Sequence, residues 1–185
     1  HGVVELKNGA TIELAEIGVS LHRRNPYTLG GGILQATGAD FLNNQRAISF
    51  WDYENFLPIS SGSYWPNLSE IDGCTFIVND EFPASEFIVP EFYDHIALIE
   101  ARGISIRNSI FKDERTTSIN TPGGYPLGFG IYTSNGGFTV NGCGFEDMVY
   151  GVNANNISST YNYSILNSYF SGNYTGIHSR GVDNF

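Results

Sequence analysis

The sequence predicts an all-β chain, a right-handed parallel β-helix (solenoid) of about six coils with loop insertions. Three observations lead there. One six-residue pattern recurs along the chain, the same position of that pattern holds only Gly or Asn in every good copy, and a second short apolar strand follows each copy.

The pattern is an aliphatic or small apolar residue, three small or polar residues, one variable residue and Phe. It occupies Ala36 to Phe41, Ile71 to Phe76, Ile106 to Phe111, Val140 to Phe145 and Ile165 to Phe170, with a weaker early copy at Ile12 to Ile17. Three positions before the closing Phe stand Gly38, Gly73, Asn108, Gly142 and Asn167. These are the two residues that most readily take a left-handed backbone, so a tight bend between two strands belongs there. The next position carries Ala39, Cys74, Ser109, Cys143 and Ser168, all small enough to face a narrow interior. Leu14 stands at the bend position of the early copy, which predicts a different turn.

The second strands begin near Ile17, Ala47, His95, Gly130, Gly151 and Gly176, and their period-two alternation buries one face. Closing residues recur about every 24 or 35 positions, so some copies carry insertions of roughly ten residues. One repeat alone leaves its apolar face uncovered, whereas stacked repeats share a core. Propeller blades need about four strands per ~40 residues. Leucine-rich repeats need a regular Leu spacing, which is missing. Stacking then predicts three inward columns: Ile71, Ile106, Val140, Ile165; the five Phe; and Ile48, Ile96, Ile131, Val152, Ile177. Residues 1–185 read as a single β-helix segment of a longer chain whose end coils need covering neighbours.

Composition narrows the function. Nineteen Asp and Glu against nine Lys and Arg give a net charge of -10, which argues against nucleic acid and anionic lipid as partners. No apolar stretch reaches the ~20 residues of a membrane helix. Cys74 and Cys143 share one repeat position two coils apart, roughly 9–10 Å by strand spacing. That exceeds the span of about 7 Å a disulfide bridges, so both read as free core residues. The sequons at Asn67, Asn156, Asn162 and Asn173 carry little weight in a chain this rich in Asn and Ser.

The stretch Gly31-Gly32-Ile33-Leu34-Gln35-Ala36-Thr37-Gly38-Ala39-Asp40-Phe41-Leu42-Asn43-Asn44, followed by Arg46-Ala47-Ile48-Ser49-Phe50, resembles the right-handed parallel β-helix repeats of Bacteroidetes-type secreted and cell-surface proteins. Gly2 to Leu6 and Asn8 to Glu13 fit the same style. The resemblance implies type IX secretion cargo, a place on the bacterial exterior beyond the outer membrane, and roles in adhesion or glycan contact. It carries no single activity.

Function on such a scaffold sits on the loops. Insertions 79–94 and 112–128 leave neighbouring coils at one corner and should touch, while 52–68 leaves from another. Tyr64, Trp65, Asp80, Tyr93, Asp94, Asp113 and Tyr125 are the candidate binding residues, because aromatic faces stack on sugar C–H groups and acids bond hydroxyls. Phe82, Phe87 and Phe92 instead read as pins holding their own loop against the flank.

No catalytic residues are assigned. Sequence-adjacent acids such as Asp113 with Glu114, or Glu146 with Asp147, point to opposite faces of a strand. A cross-coil couple of Asp80 or Asp94 with Asp113 is the remaining acid–base arrangement. Arg102, Arg107 and Arg115 read as solvated outward residues rather than eliminase bases. Acidic loops raise Ca2+, which takes about six to eight oxygens, but no spaced Asp-x-Asp-x-Asp series accompanies them. His1, His22, His95 and His178 lack zinc spacing, so no cofactor is expected. The leading reading is a non-catalytic module, an adhesin or stalk contacting a polysaccharide or surface protein. Part of a polysaccharide lyase or glycoside hydrolase is the alternative, and a spacer or cargo held by secretion machinery is the third.

Overall fold

The computed structural model describes residues 2–22, 31–53, 69–88, 91–116, 128–157 and 160–181. Within them the chain is all-β apart from one 3-10 turn, Ala84–Glu86. Strands β1 (Val3–Leu6), β2 (Thr11–Glu13) and β3 (Ile17–His22) make the first repeat. The second contains β4 (Ile33–Thr37), β5 (Asp40–Leu42) and β6 (Arg46–Tyr53). The third holds β7 (Glu70–Asp72), β8 (Thr75–Val78) and the first half of β9 (Asp94–Arg107). The second half of β9 opens the fourth, with β10 (Ile110–Asp113) and β11 (Phe129–Ser134). Then come β12 (Gly137–Asn141), β13 (Gly144–Glu146) and β14 (Tyr150–Asn156), and finally β15 (Tyr163–Leu166), β16 (Tyr169–Ser171) and β17 (Thr175–Gly181).

Every pairing between these strands is parallel, and each links a repeat to the next. Three ladders result. The first runs β1-β4-β7-β9-β12-β15, the second β2-β5-β8-β10-β13-β16, and the third β3-β6-β9-β11-β14-β17. Because β9 is long enough to serve two ladders, the first and third fuse into one 11-stranded sheet beside a 6-stranded one.

The expected columns are all present. Ile71, Ile106, Val140 and Ile165 are in register, as are Ile48, Ile96, Ile131, Val152 and Ile177. The five Phe rings stack almost parallel: 4.6 Å from Phe41 to Phe76 and from Phe76 to Phe111, then 4.8 Å to Phe145 and again to Phe170. Parallel strands about 4.8 Å apart bring identical side chains to ring-stacking distance with no adjustment of the backbone.

The corners explain the small and left-handed residues. Gly38, Gly73, Asn108, Gly142 and Asn167 all have φ between 48° and 68°. The N–H of each of the first four donates across the turn to the next repeat, as Gly38 N does to Asp72 O at 2.9 Å. The following residue has its N–H aimed inward, and a small polar side chain from the next repeat accepts it: Cys74 N donates to Ser109 Oγ at 3.1 Å and Cys143 N to Ser168 Oγ at 3.1 Å. Smallness at this position therefore serves hydrogen bonding as well as space. Cys74 and Cys143 are buried free thiols. At the next corner Asn44 accepts from Ala15 N and donates to Ile12 O, and Asn173 does the same for Met148 N and Phe145 O.

The early copy needs correction. Ile12, not Ile17, pairs with Phe41, while Leu6 pairs with Ala36 and Ile17 with Arg46. One additional residue in the Lys7–Ala10 turn, with Gly9 at φ 84°, displaces the six-residue pattern and hides the true copy. Leu14 (φ 57°) belongs to the second corner, where Asn43, Asp147 and Gly172 hold the same conformation.

Burial falls off at both outer repeats. Ile177 is 45% exposed although its neighbour Val152 is fully buried, and Val3 and Leu14 at the other end are 53% and 52% exposed. This gradient grades the expected effect of core truncation. Phe111→Ala, between two stacked rings, should lower the unfolding free energy by about 3–5 kcal/mol. Phe170→Ala, half-buried with one ring neighbour, should cost clearly less; urea denaturation midpoints of the two variants measure both.

Candidate functional site

The two insertions at the second corner do meet. β8 ends at Val78 and β10 at Asp113, which are register partners, so both excursions leave side by side. Thr116 donates its backbone N–H to Asp80 Oδ1 at 2.8 Å and its hydroxyl to the same carboxylate, while Glu114 N donates to Val78 O at 2.7 Å. Phe82 and Phe92 turn back onto the flank with Val78 and Met148 as a small second core, and Phe87 packs on Phe82 at 5.4 Å. The three Phe act as loop pins.

Each described acid among the candidates has its own partner. Asp94 opens β9 beside Arg46 of β6, and the guanidinium donates through Nε and Nη2 to its two oxygens, each at 2.7 Å. Burial pushes the Asp94 carboxyl up while Arg46 opposes this. Tyr93 lies against the same guanidinium, 5.9 Å from the ring centre. Asp113, whose side chain is fully buried, receives Arg115 Nε at 2.9 Å and Nη2 at 2.7 Å. Arg115 also packs over Phe92 at 5.1 Å and Phe82 at 5.9 Å.

Arg115 is thus no solvated outward residue, contrary to the sequence reading: only 17% of its side chain is exposed. A buried carboxylate two residues upstream needs a counter-charge, and a planar guanidinium meets that need while stacking on rings. Arg107 is also engaged, bridging Glu70 and Asp72 on the face of the first ladder. Arg102 lines an open groove of about 390 Å³ with Ser105, Thr139, Thr160 and Asn162. Tyr64, Trp65 and Tyr125, with most of 52–68 and 112–128, lie outside the described residues. The structure therefore brings Asp80 and Asp113 into one loop junction and sets Tyr93 and Asp94 together around Arg46. Among the described residues, no group of three or more His, Cys, Asp or Glu is placed to hold a metal.

His95 is fully enclosed among Phe76, Phe92 and Phe111, with Nε2 at 3.3 Å from Lys112 O. Burial, with the nearby Arg115 charge adding to it, lowers its pKa to about 3. The imidazole is accordingly neutral and Nε2–H is the donor.

An outward-facing array on the third ladder was missed. Phe129 and Tyr132 of β11 stack at 5.6 Å, Phe129 meets Tyr150 of β14 at 5.5 Å, and Tyr150 meets His178 of β17 at 5.6 Å. Asn153, in register between Tyr132 and His178, hydrogen-bonds the imidazole Nδ1 through Oδ1 at 2.9 Å. Reading the outward position of each second strand, rather than the loops, reveals Tyr132, Asn153 and His178 in one row.

Two outcomes follow from the buried polar groups. Arg46→Ala should cost about 3–5 kcal/mol, because Asp94 is left buried and unpaired, and Asp94→Asn in the same chain should recover part of that loss by urea denaturation. For His95 the folded state binds its proton less tightly than the unfolded one. Its stabilising contribution is complete above an unfolded pKa of about 6.5 and is lost as pH falls toward 3, at up to roughly 1.4 kcal/mol per pH unit. A His95→Phe variant should show a shallower loss of stability across that window in pH-dependent denaturation.

Compared with protein-family models, with curated proteins and with solved structures, the chain shows no match in any of the three.

Proposed function

We propose that the chain is a non-catalytic module of a secreted or cell-surface protein. It is a right-handed parallel β-helix that serves as a stalk or adhesin segment, of the kind found in Bacteroidetes-type exported proteins. The fold part of this reading is supported by the order of the ladders. Among the described residues six repeats each supply strands to the first, second and third ladder in that order, and each repeat after the first pairs with the one before it. Parallel crossovers take the right hand almost without exception. Half-exposed apolar residues on both outer repeats fit coverage by flanking segments or a partner.

One observation carries the functional part. The acids that sequence reading offered for chemistry are committed to holding the scaffold together. Asp94 is clamped by Arg46, Asp113 by Arg115, and Asp80 ties one insertion to the next. A general acid or base needs a proton to give or take at a reachable atom. A fully buried carboxylate in a bidentate pair with arginine is set up for structure instead.

The test is the chain length of a polysaccharide panel after incubation with the protein, read by reducing-end assay and size-exclusion profile. No polymer should be shortened. Shortening of any polymer, abolished by Asp113→Asn, would replace this reading with a cleaving enzyme centred on the insertion loops.

A further inference from the structure

The geometry points to a binding platform for an uncharged polysaccharide on the outer face of β11, β14 and β17, built from Phe129, Tyr132, Tyr150, Asn153 and His178. The inference rests on the reading of a non-catalytic display module and adds its ligand class.

The first support is construction. Ile131, Val152 and Ile177 lock the three strands in register from inside. The outward row Tyr132, Asn153, His178 is therefore spaced by the strand separation, about 4.8 Å. A site on registered strands loses little freedom when a ligand arrives, unlike one on loops. Tyr132 and Tyr150 are half-buried, each packed against Phe129, and His178 is exposed.

The second support is chemistry. Aromatic faces accept the C–H groups of a sugar ring, and phenol and carboxamide groups bond its hydroxyls. In the tautomer that donates Nδ1–H to Asn153 Oδ1, the imidazole keeps Nε2 as an acceptor for a hydroxyl proton.

The third support is charge, and it selects the ligand. The chain carries a net charge of -10, yet β11, β14 and β17 hold no Asp or Glu and a single basic residue, Arg180. The second ladder carries Lys112 and Glu146 in the strands of the same level, and charges of the third ladder, among them Asp52 and the Arg46–Asp94 pair, lie in the earlier strands β6 and β9. An acidic protein repels a polyanion, and a platform without carboxylates has nothing to offer a polycation. Hydroxyl-rich, uncharged chains are what this face fits.

Native affinity electrophoresis of the protein through gels containing pullulan, galactomannan, hydroxyethylcellulose or polygalacturonate tests this. At least one uncharged polymer should retard the protein, and Tyr132→Ala combined with Tyr150→Ala should weaken retardation roughly tenfold. Tyr169→Phe on the second ladder should leave it unchanged. Asn153→Ala, which removes the hydroxyl-bonding carboxamide without removing a packed ring, should also weaken it; circular dichroism checks that each variant is folded. Retardation by no uncharged polymer, retardation by polygalacturonate alone, or retardation of the folded Tyr132→Ala/Tyr150→Ala or Asn153→Ala variant equal to that of the parent would overturn the platform. The polymer recovered from each gel is sized as well. Intact polymer with no retardation removes the platform and leaves the non-catalytic reading standing, whereas shortened polymer removes that reading.

Discussion

In-register parallel stacking of the five phenylalanine rings is the constraint on which the rest depends. Rings 4.6 to 4.8 Å apart and within a few degrees of parallel require each repeat to sit directly over the last. A slip of one residue would move every side chain of a strand to the opposite face. The Phe column therefore fixes the register of the second ladder. The corners beside it carry that register to the other two: left-handed Gly or Asn on one side, capping Asn44 and Asn173 on the other. Gly130 shows how tight the fit is, since a Cβ there would stand 2.5 Å from Gly151 O and 2.8 Å from the Phe145 ring.

Polar residues divide into two groups with different work. Those at corners satisfy backbone groups that a ladder leaves unpaired at each bend. Asn156 and Asn173 belong here: their amides bond Gly136 O and Tyr161 O, and Phe145 O. A glycan on Asn156 would remove one of the two N–H donors that its amide uses. The second group compensates buried charge. Asp94 and Asp113 lie inside the flank because an insertion covers them, and each is held by an arginine that is itself stacked on aromatic rings.

The two insertions at the second corner behave as buttresses. Phe82 and Phe92 cover Val78 and Met148, and His95 fills the gap between that small core and the Phe column. The burial that makes His95 a neutral donor to Lys112 O also ties this flank to pH. The third ladder, whose last three strands carry Tyr132, Tyr150, Asn153 and His178 and no carboxylate, is left as the face with contact chemistry.

The sequence by itself determined the parallel all-β stacking, the three inward columns and the left-handed bend, because a repeating backbone imposes the same demand at the same position each time. Gly or Asn at the bend and Phe six positions into each copy are local requirements, legible one repeat at a time. It misplaced the first copy, where one extra turn residue moved Ile12 into the Phe column. Only the tertiary structure decided the partners of the charges and the make-up of the outer faces. Arg46 meets Asp94 from 48 residues away, and Phe129 reaches Tyr132 of its own strand and Tyr150 of the next. Such neighbours are set by register between repeats, and a single repeat's sequence contains no information about what lies above or below it.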